Sequence, residues 1–248
     1  MSKPRVAIFD FACCEGCQLQ IVNLEEEILD LIHVVDVVEW REAMSEQSHD
    51  YDIAIVEGSI TRHEDELRLE VIRSRCKILI ALGACATIGG VNKMKNNFDL
   101  NDVKECVYGK DAKMPHLNTE MTKAVDEVVP VDAYIHGCPI DRKEFGTVIR
   151  ALLLGKRPPI PDYPVCVECK AKENVCRYEY NEICLGPIIR AGCGARCPSS
   201  NFRCFGCRGY VDHPNVEAAK EVMDKYGLTV EDLKQKMILF GSKQGHTL

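Results

Sequence analysis

Between Pro164 and Gly209 the chain places eight cysteines, Cys166, Cys169, Cys176, Cys184, Cys193, Cys197, Cys204 and Cys207, with little Leu, Ile or Val among them. A segment this poor in apolar side chains cannot offset the entropy of ordering its backbone by burial alone. Cross-links or metal must supply the difference. Disulfides would need an oxidising compartment. No apolar segment follows the start Met-Ser-Lys-Pro-Arg, there is no twin-arginine pair, and no apolar run is long enough to cross a bilayer. A reducing cytosol is therefore expected, where clustered cysteines mean metal or redox chemistry. Zinc would suit Cys166-x2-Cys169 and Cys204-x2-Cys207 as two knuckles, and iron–sulfur clusters suit the same residues equally, since both take four thiolates per site.

Length leaves room for more than this segment: 248 residues hold one substantial core and a smaller appendage. Fifteen cysteines are unusual for a cytosolic chain, and a net charge of -7 with no basic face argues against nucleic acid as a partner.

Arg5 to Phe11 is a short apolar run that reads as a buried strand. Gln18 to Ile32 then repeats apolar residues at helical spacing. Cys13, Cys14 and Cys17 lie on the turn between them. Val34 to Trp40 and Ile53 to Val56 are further strands, with a charged helix from His63 to Arg75. Lys77 to Leu82 is a strand running into the loop Gly83 to Gly90, which holds Cys85. Val131 to Ile135 is the last strand, ending in His136-Gly137-Cys138-Pro139 before a helix from Asp141 to Leu154. Short helices are expected at Asn101 to Val107 and Asn118 to Val128, in an excursion, Asn92 to Pro130, without a legible role. Strands alternating with helices predict an α/β fold, a parallel sheet covered by helices on both faces. Sites in such sheets form where loops leave the carboxyl ends of the strands. Cys14, Cys17, Cys85 and Cys138 all fall in such loops, so four thiolates would converge on one edge.

The proline-rich stretch Gly155 to Pro164 favours an extended linker. It divides the chain into residues 1–157 and 158–248. Beyond the cysteines, Pro214 opens a helix ending near Gly227, and Thr229-x-x-Asp232 resembles a capping box for one more.

Cys14-x2-Cys17, Gly83-x-Cys85-Ala86 with Gly89-Gly90, Gly137-Cys138-Pro139 and the downstream cysteines together resemble the small, electron-transferring subunit of nickel–iron hydrogenases. The similarity runs over residues 5–210 and looks closest to the cytosolic, sulfhydrogenase delta-type branch. It implies a flavodoxin-like first domain holding a proximal [4Fe-4S] cluster on Cys14, Cys17, Cys85 and Cys138. A small iron–sulfur domain and C-terminal helices would follow. There the resemblance implies a distal cluster on Cys166, Cys169, Cys176 and Cys184 and a medial one on Cys193, Cys197, Cys204 and Cys207. Cys166 stands where many members have histidine, and Cys197 supplies a ligand that three-iron medial clusters lack. Three [4Fe-4S] clusters are therefore expected. The nickel–iron centre is expected on a large partner subunit and none on this chain. The further partners implied are iron–sulfur or flavin subunits linked to NAD(P), or ferredoxin. No flavin is expected here, because the first loop offers cysteines where a phosphate cradle needs hydroxyls and free amides. Two alternatives remain: a cluster subunit similar to the quinone-site subunit of respiratory complex I, and a zinc-stabilised interaction module.

Twelve of the fifteen cysteines are thereby assigned, leaving Cys13, Cys76 and Cys106. Cys76 and Cys106 read as small packing residues. Cys13 adjoins the first ligand. Glu15 and Glu57 read as capping or solvated turn carboxylates, and His136 as a hydrogen-bonded core histidine.

Overall fold

The computed structural model describes residues 3–110, 113–116, 118–214 and 216–240. The five apolar runs form five parallel strands: β1 (Arg5–Asp10), β2 (Asp36–Trp40), β3 (Ile53–Glu57), β4 (Ile78–Leu82) and β5 (Ala133–Ile135). Their order is β2-β1-β3-β4-β5, the flavodoxin-like doubly wound order, with β3 in the middle and every residue of it buried. Strand side chains alternate between faces. Val6, Ile8, Ile53, Ile55, Ile80 and Leu82 thus enter one apolar cluster, and Ala7, Phe9, Ala54, Val56, Leu79 and Ala81 enter another. The helices α1 (Gly16–Val22), α2 (Glu26–Val34) and α6 (Arg142–Leu153) cover the first face. On the second lie α3 (His63–Arg75), α4 (Gly83–Ile88) and a 3-10 turn at Val125–Glu127.

The remaining elements are α5 (Leu100–Tyr108), α7 (Val165–Ala171), α8 (Arg196–Ser199), α9 (Val216–Lys225) and α10 (Val230–Met237). From Val165 onward a third apolar cluster forms, built on Val165, Tyr178, Leu185, Ile188 and Ile189, with Ala219 and Met223 of α9 and Leu233 of α10. Isolated antiparallel bridges Pro164–Arg190 and Ile189–Tyr210 hold it in place of a sheet. No helix among the described residues is long and apolar enough to cross a membrane.

Three expectations are corrected. The helix read from Gln18 to Ile32 is two helices, because Glu25 adopts φ 56° and ψ -120°, and the Arg142 guanidinium donates to the Asn23 carbonyl in the gap. Asn118 to Val128 is not a helix: Ile60 and Lys123 exchange backbone bonds of 3.0 and 2.9 Å, so a tertiary ladder overrides local propensity. Gly83 to Gly90 is no open loop, since its first six residues wind into α4 and carry Cys85 in the opening turn.

Candidate metal centres

The loops leaving β1, β3, β4 and β5 lie side by side because backbone bonds tie them together. Ser59 and Ala12 exchange bonds of 3.0 and 3.1 Å across the first pair, and the Ala84 amide donates to the Gly137 carbonyl at 2.7 Å across the second. Glu57, the last residue of β3, is only 2% exposed. Its two carboxylate oxygens accept from the amides of Cys17 at 3.0 Å and Gln18 at 3.1 Å, satisfying free donors in the first turn of α1. Burial pushes the Glu57 carboxyl up, and these two amides pull it back.

The ties gather the first expected group. Cys85 lies within electrostatic reach of Cys138 and Cys14, Cys138 of Cys14, and Cys17 of Cys138. Burial, and after it the neighbouring charge, pushes the Cys85 thiol up to about 12. Gly83 has φ +80°, and a Cβ there would collide with the Cys17 sulfur. Cys13 stands in the same group, its thiol pushed up to about 12 by burial and by Glu57. Cys14 and Cys138 are exposed, so this group opens at the surface.

Cys166 and Cys169 lie on α7, Cys176 precedes a 3-10 turn, and Cys184 is buried. They form the second group: burial raises the Cys166 thiol to about 12, and Cys184, Cys169 and Cys176 add to it. Cys193, Cys197 of α8, Cys204 and Cys207 form the third. Burial pushes the Cys207 thiol up to about 11, a rise opposed by the Cys138 backbone and strengthened by Cys193, Cys138 and Cys197. At the other junction the Cys204 amide donates to the Cys184 sulfur at 3.2 Å. The third group therefore adjoins both of the others, through Cys207 beside Cys138 and through the Cys204–Cys184 bond.

Other residues at these junctions had no signal in the sequence. The Asn92 amide donates to Ala12 O at 2.7 Å and to Ser59 Oγ at 2.9 Å, so the excursion after α4 braces the first group. Glu168, between the two α7 cysteines, accepts from the amides of Gly192 at 2.8 Å and Ala195 at 3.0 Å, beside Cys193. Arg208 and Glu144 form a buried pair at 2.7 Å between the first and third groups. Burial pushes the Glu144 carboxyl up, and Arg208 opposes it. Glu15 is half-buried, and the half-buried ring of His136 stacks on Tyr134 at 5.8 Å. Cys76 packs against the second apolar cluster, whereas Cys106 is exposed on α5 and is not the packing residue its pattern suggested.

All fifteen cysteines are free thiols. Among the described residues no three His, Cys, Asp or Glu close in on a single ion position. The family model of the NADH ubiquinone oxidoreductase 20 kDa subunit matches residues 14–152, from Cys14 through α6. The chain belongs to this family. Within the 20 kDa subunit family it is a hydrogenase small-subunit-like protein. It is 36% identical to the sulfhydrogenase 2 subunit delta of Pyrococcus furiosus, over 95% of this chain and 98% of that protein. Against a vhu subunit of the F420-non-reducing hydrogenase of Methanocaldococcus jannaschii it is 31% identical, over 90% of this chain and 92% of that one. A crystal structure of an NAD+-reducing [NiFe]-hydrogenase in the H2-reduced state contains a chain that superposes with TM-score 0.59 and 27% identity. That match covers 64% of this chain and 96% of the other.

Proposed function

We propose that this chain is the electron-relay subunit of a nickel–iron hydrogenase complex, holding three [4Fe-4S] clusters, with the H2 chemistry on a larger partner subunit. The observation that carries the reading is the row of thiols. It is exposed at Cys14 and Cys138 in the first group and at Cys176 in the second, and buried where the second group meets the third, at Cys184 and Cys204, each 7% exposed. A relay must be open at both ends and dry between them.

Cys14, Cys17, Cys85 and Cys138 would hold the proximal cluster. The medial cluster would sit on Cys193, Cys197, Cys204 and Cys207, and the distal one on Cys166, Cys169, Cys176 and Cys184. The donor set fits: buried thiols whose ionisation is opposed become thiolates only beside strong positive charge, which a bound iron–sulfur core provides. Gly83 fits too, because a side chain there would fill the space that the Cys17 sulfur uses. Clusters so ligated store one electron each, at potentials set by hydrogen bonds and burial. The protein's part is to orient the sulfurs, through Glu57 at the proximal loop and Glu168 at the distal helix, and to exclude water between groups.

The large subunit would cover the edge carrying Cys14 and Cys138, and an iron–sulfur, flavin or ferredoxin-type partner would approach Cys176. The cytoplasm suits cysteines that must stay reduced to hold clusters. Two comparisons weigh against the complex I-like reading. The 20 kDa family match ends at residue 152, before Cys166, whereas the likeness to the sulfhydrogenase subunit spans 95% of the chain. The test is anaerobic purification of the tagged chain with its native partners, followed by metal analysis. About twelve irons per chain, four for each of three cubanes, with nickel on a larger co-purified subunit, is the expected result. Zinc without iron or nickel would overturn the reading.

A further inference from the structure

Arg208 follows Cys207 directly and is 1% exposed. Every arm of its guanidinium donates. Nε reaches the Ala191 carbonyl at 2.7 Å, Nη1 the His136 carbonyl at 2.7 Å, and Nη2 Glu144 Oε1 at 2.9 Å, with Glu144 Oε2 at 2.7 Å as its ion-pair partner. Ala191 lies two residues before Cys193, and His136 two residues before Cys138. One side chain therefore clamps the backbone that carries Cys138 of the first thiol group and Cys193 and Cys207 of the third. Gly192 makes room for the pair, since a Cβ there would stand 2.9 Å from Arg208 Cζ and 3.0 Å from Glu144 Oε2.

Adhesion alone does not account for this choice. A buried ion pair contributes little more than apolar residues of the same volume, because desolvation cancels most of the attraction. What apolar residues cannot supply is a planar donor that fixes two carbonyls from different loops, together with a charge that is present and neutralised. We propose that the Arg208–Glu144 pair is the positioning element of the proximal–medial step, fixing the spacing of those two thiol groups and, through its charge balance, the potentials of what they hold. This rests on the relay reading. A cluster gains negative charge on reduction, so an uncompensated positive charge beside it favours the reduced form and raises the potential. Arg208 touches no loop of the distal group among its hydrogen bonds.

The experiment is redox titration of the purified complex followed by electron paramagnetic resonance, on the wild type, Glu144→Gln and Arg208→Lys. Glu144→Gln keeps the shape and an acceptor for Arg208 but removes the compensating charge. The proximal and medial signals should shift toward reduction by about tenfold in reduced-to-oxidised ratio at fixed ambient potential, about 59 mV for one electron, with the distal signal unmoved. Arg208→Lys keeps the charge but cannot make all three contacts. The potentials should hold while the magnetic interaction between proximal and medial signals changes. Equal potentials in wild type and Glu144→Gln, or an equal shift of all three signals, would overturn the proposal, as would an unchanged interaction in Arg208→Lys. Should the lysine variant not accumulate, the Glu144→Gln potentials decide. Wild-type complex without iron would overturn the relay reading itself, whereas iron-loaded wild type with unresponsive variants would overturn only the role of the pair.

Discussion

Glu57 holds two amides of α1 from the end of a different element, and its removal would leave both donors buried without a partner. Each hydrogen bond to a charged group is worth about 1.5–3 kcal/mol. Glu57→Ala should therefore loosen the turn between Cys14 and Cys17, and iron from the proximal group should be lost to a chelator faster than in wild type, with the other signals intact. Gly83→Ala is the sharper perturbation. Its Cβ would occupy the space of the Cys17 sulfur in a backbone conformation that alanine resists. Iron per chain should fall from about twelve to about eight, one cubane of four irons lost, as read by metal analysis; full retention would remove Cys17 from the proximal set. The cysteines stood out in the sequence at this scale because clustered thiols have few other uses, whereas their division into three sets came from the resemblance. Glu57, Asn92, Glu168 and Arg208 were not, because each acts on a residue far away in sequence and leaves no local pattern.

At the scale of elements, α7 is a lever between two thiol groups: it bears Cys166 and Cys169 of the second, while Glu168 binds the backbone beside Cys193 of the third. Glu168→Ala leaves the Gly192 and Ala195 amides unsatisfied, at about 1–3 kcal/mol for each buried donor. The medial signal should broaden or disappear before the proximal one does. The end of the chain is bound more simply. Thr229 and Asp232 form the capping box read from the sequence, with Thr229 Oγ1 accepting the Asp232 amide at 3.2 Å. Thr229→Ala should cost about 1 kcal/mol of helix stability, seen as faster amide exchange confined to α10. That box was legible because its chemistry is complete within four residues. The break between α1 and α2 was not, since apolar spacing continues through it and the reversal at Glu25 is stabilised by Arg142 from α6.

Across the whole molecule, two apolar clusters belong to the sheet and a third to the cysteine-rich tail, and the third contains no sheet residue. We read the chain as two domains, 1–157 and 158–248, with Arg208, Glu144 and the His136 carbonyl forming a buried polar contact between them. Cys85→Ser should accordingly abolish H2-dependent dye reduction while the tail keeps its two groups, with about eight irons remaining. Loss of all iron would mean that the domains fold as one unit. By itself the sequence determined the parallel sheet and the strand-end loops that carry the first cysteines, because strand periodicity and turn residues are properties of short windows. Only the tertiary structure decided which contacts tie the last four cysteines to the other two groups. Those ties depend on the tail folding back so that Arg208 meets the His136 carbonyl and Cys204 meets Cys184, contacts between residues too far apart in the chain for any local pattern to record.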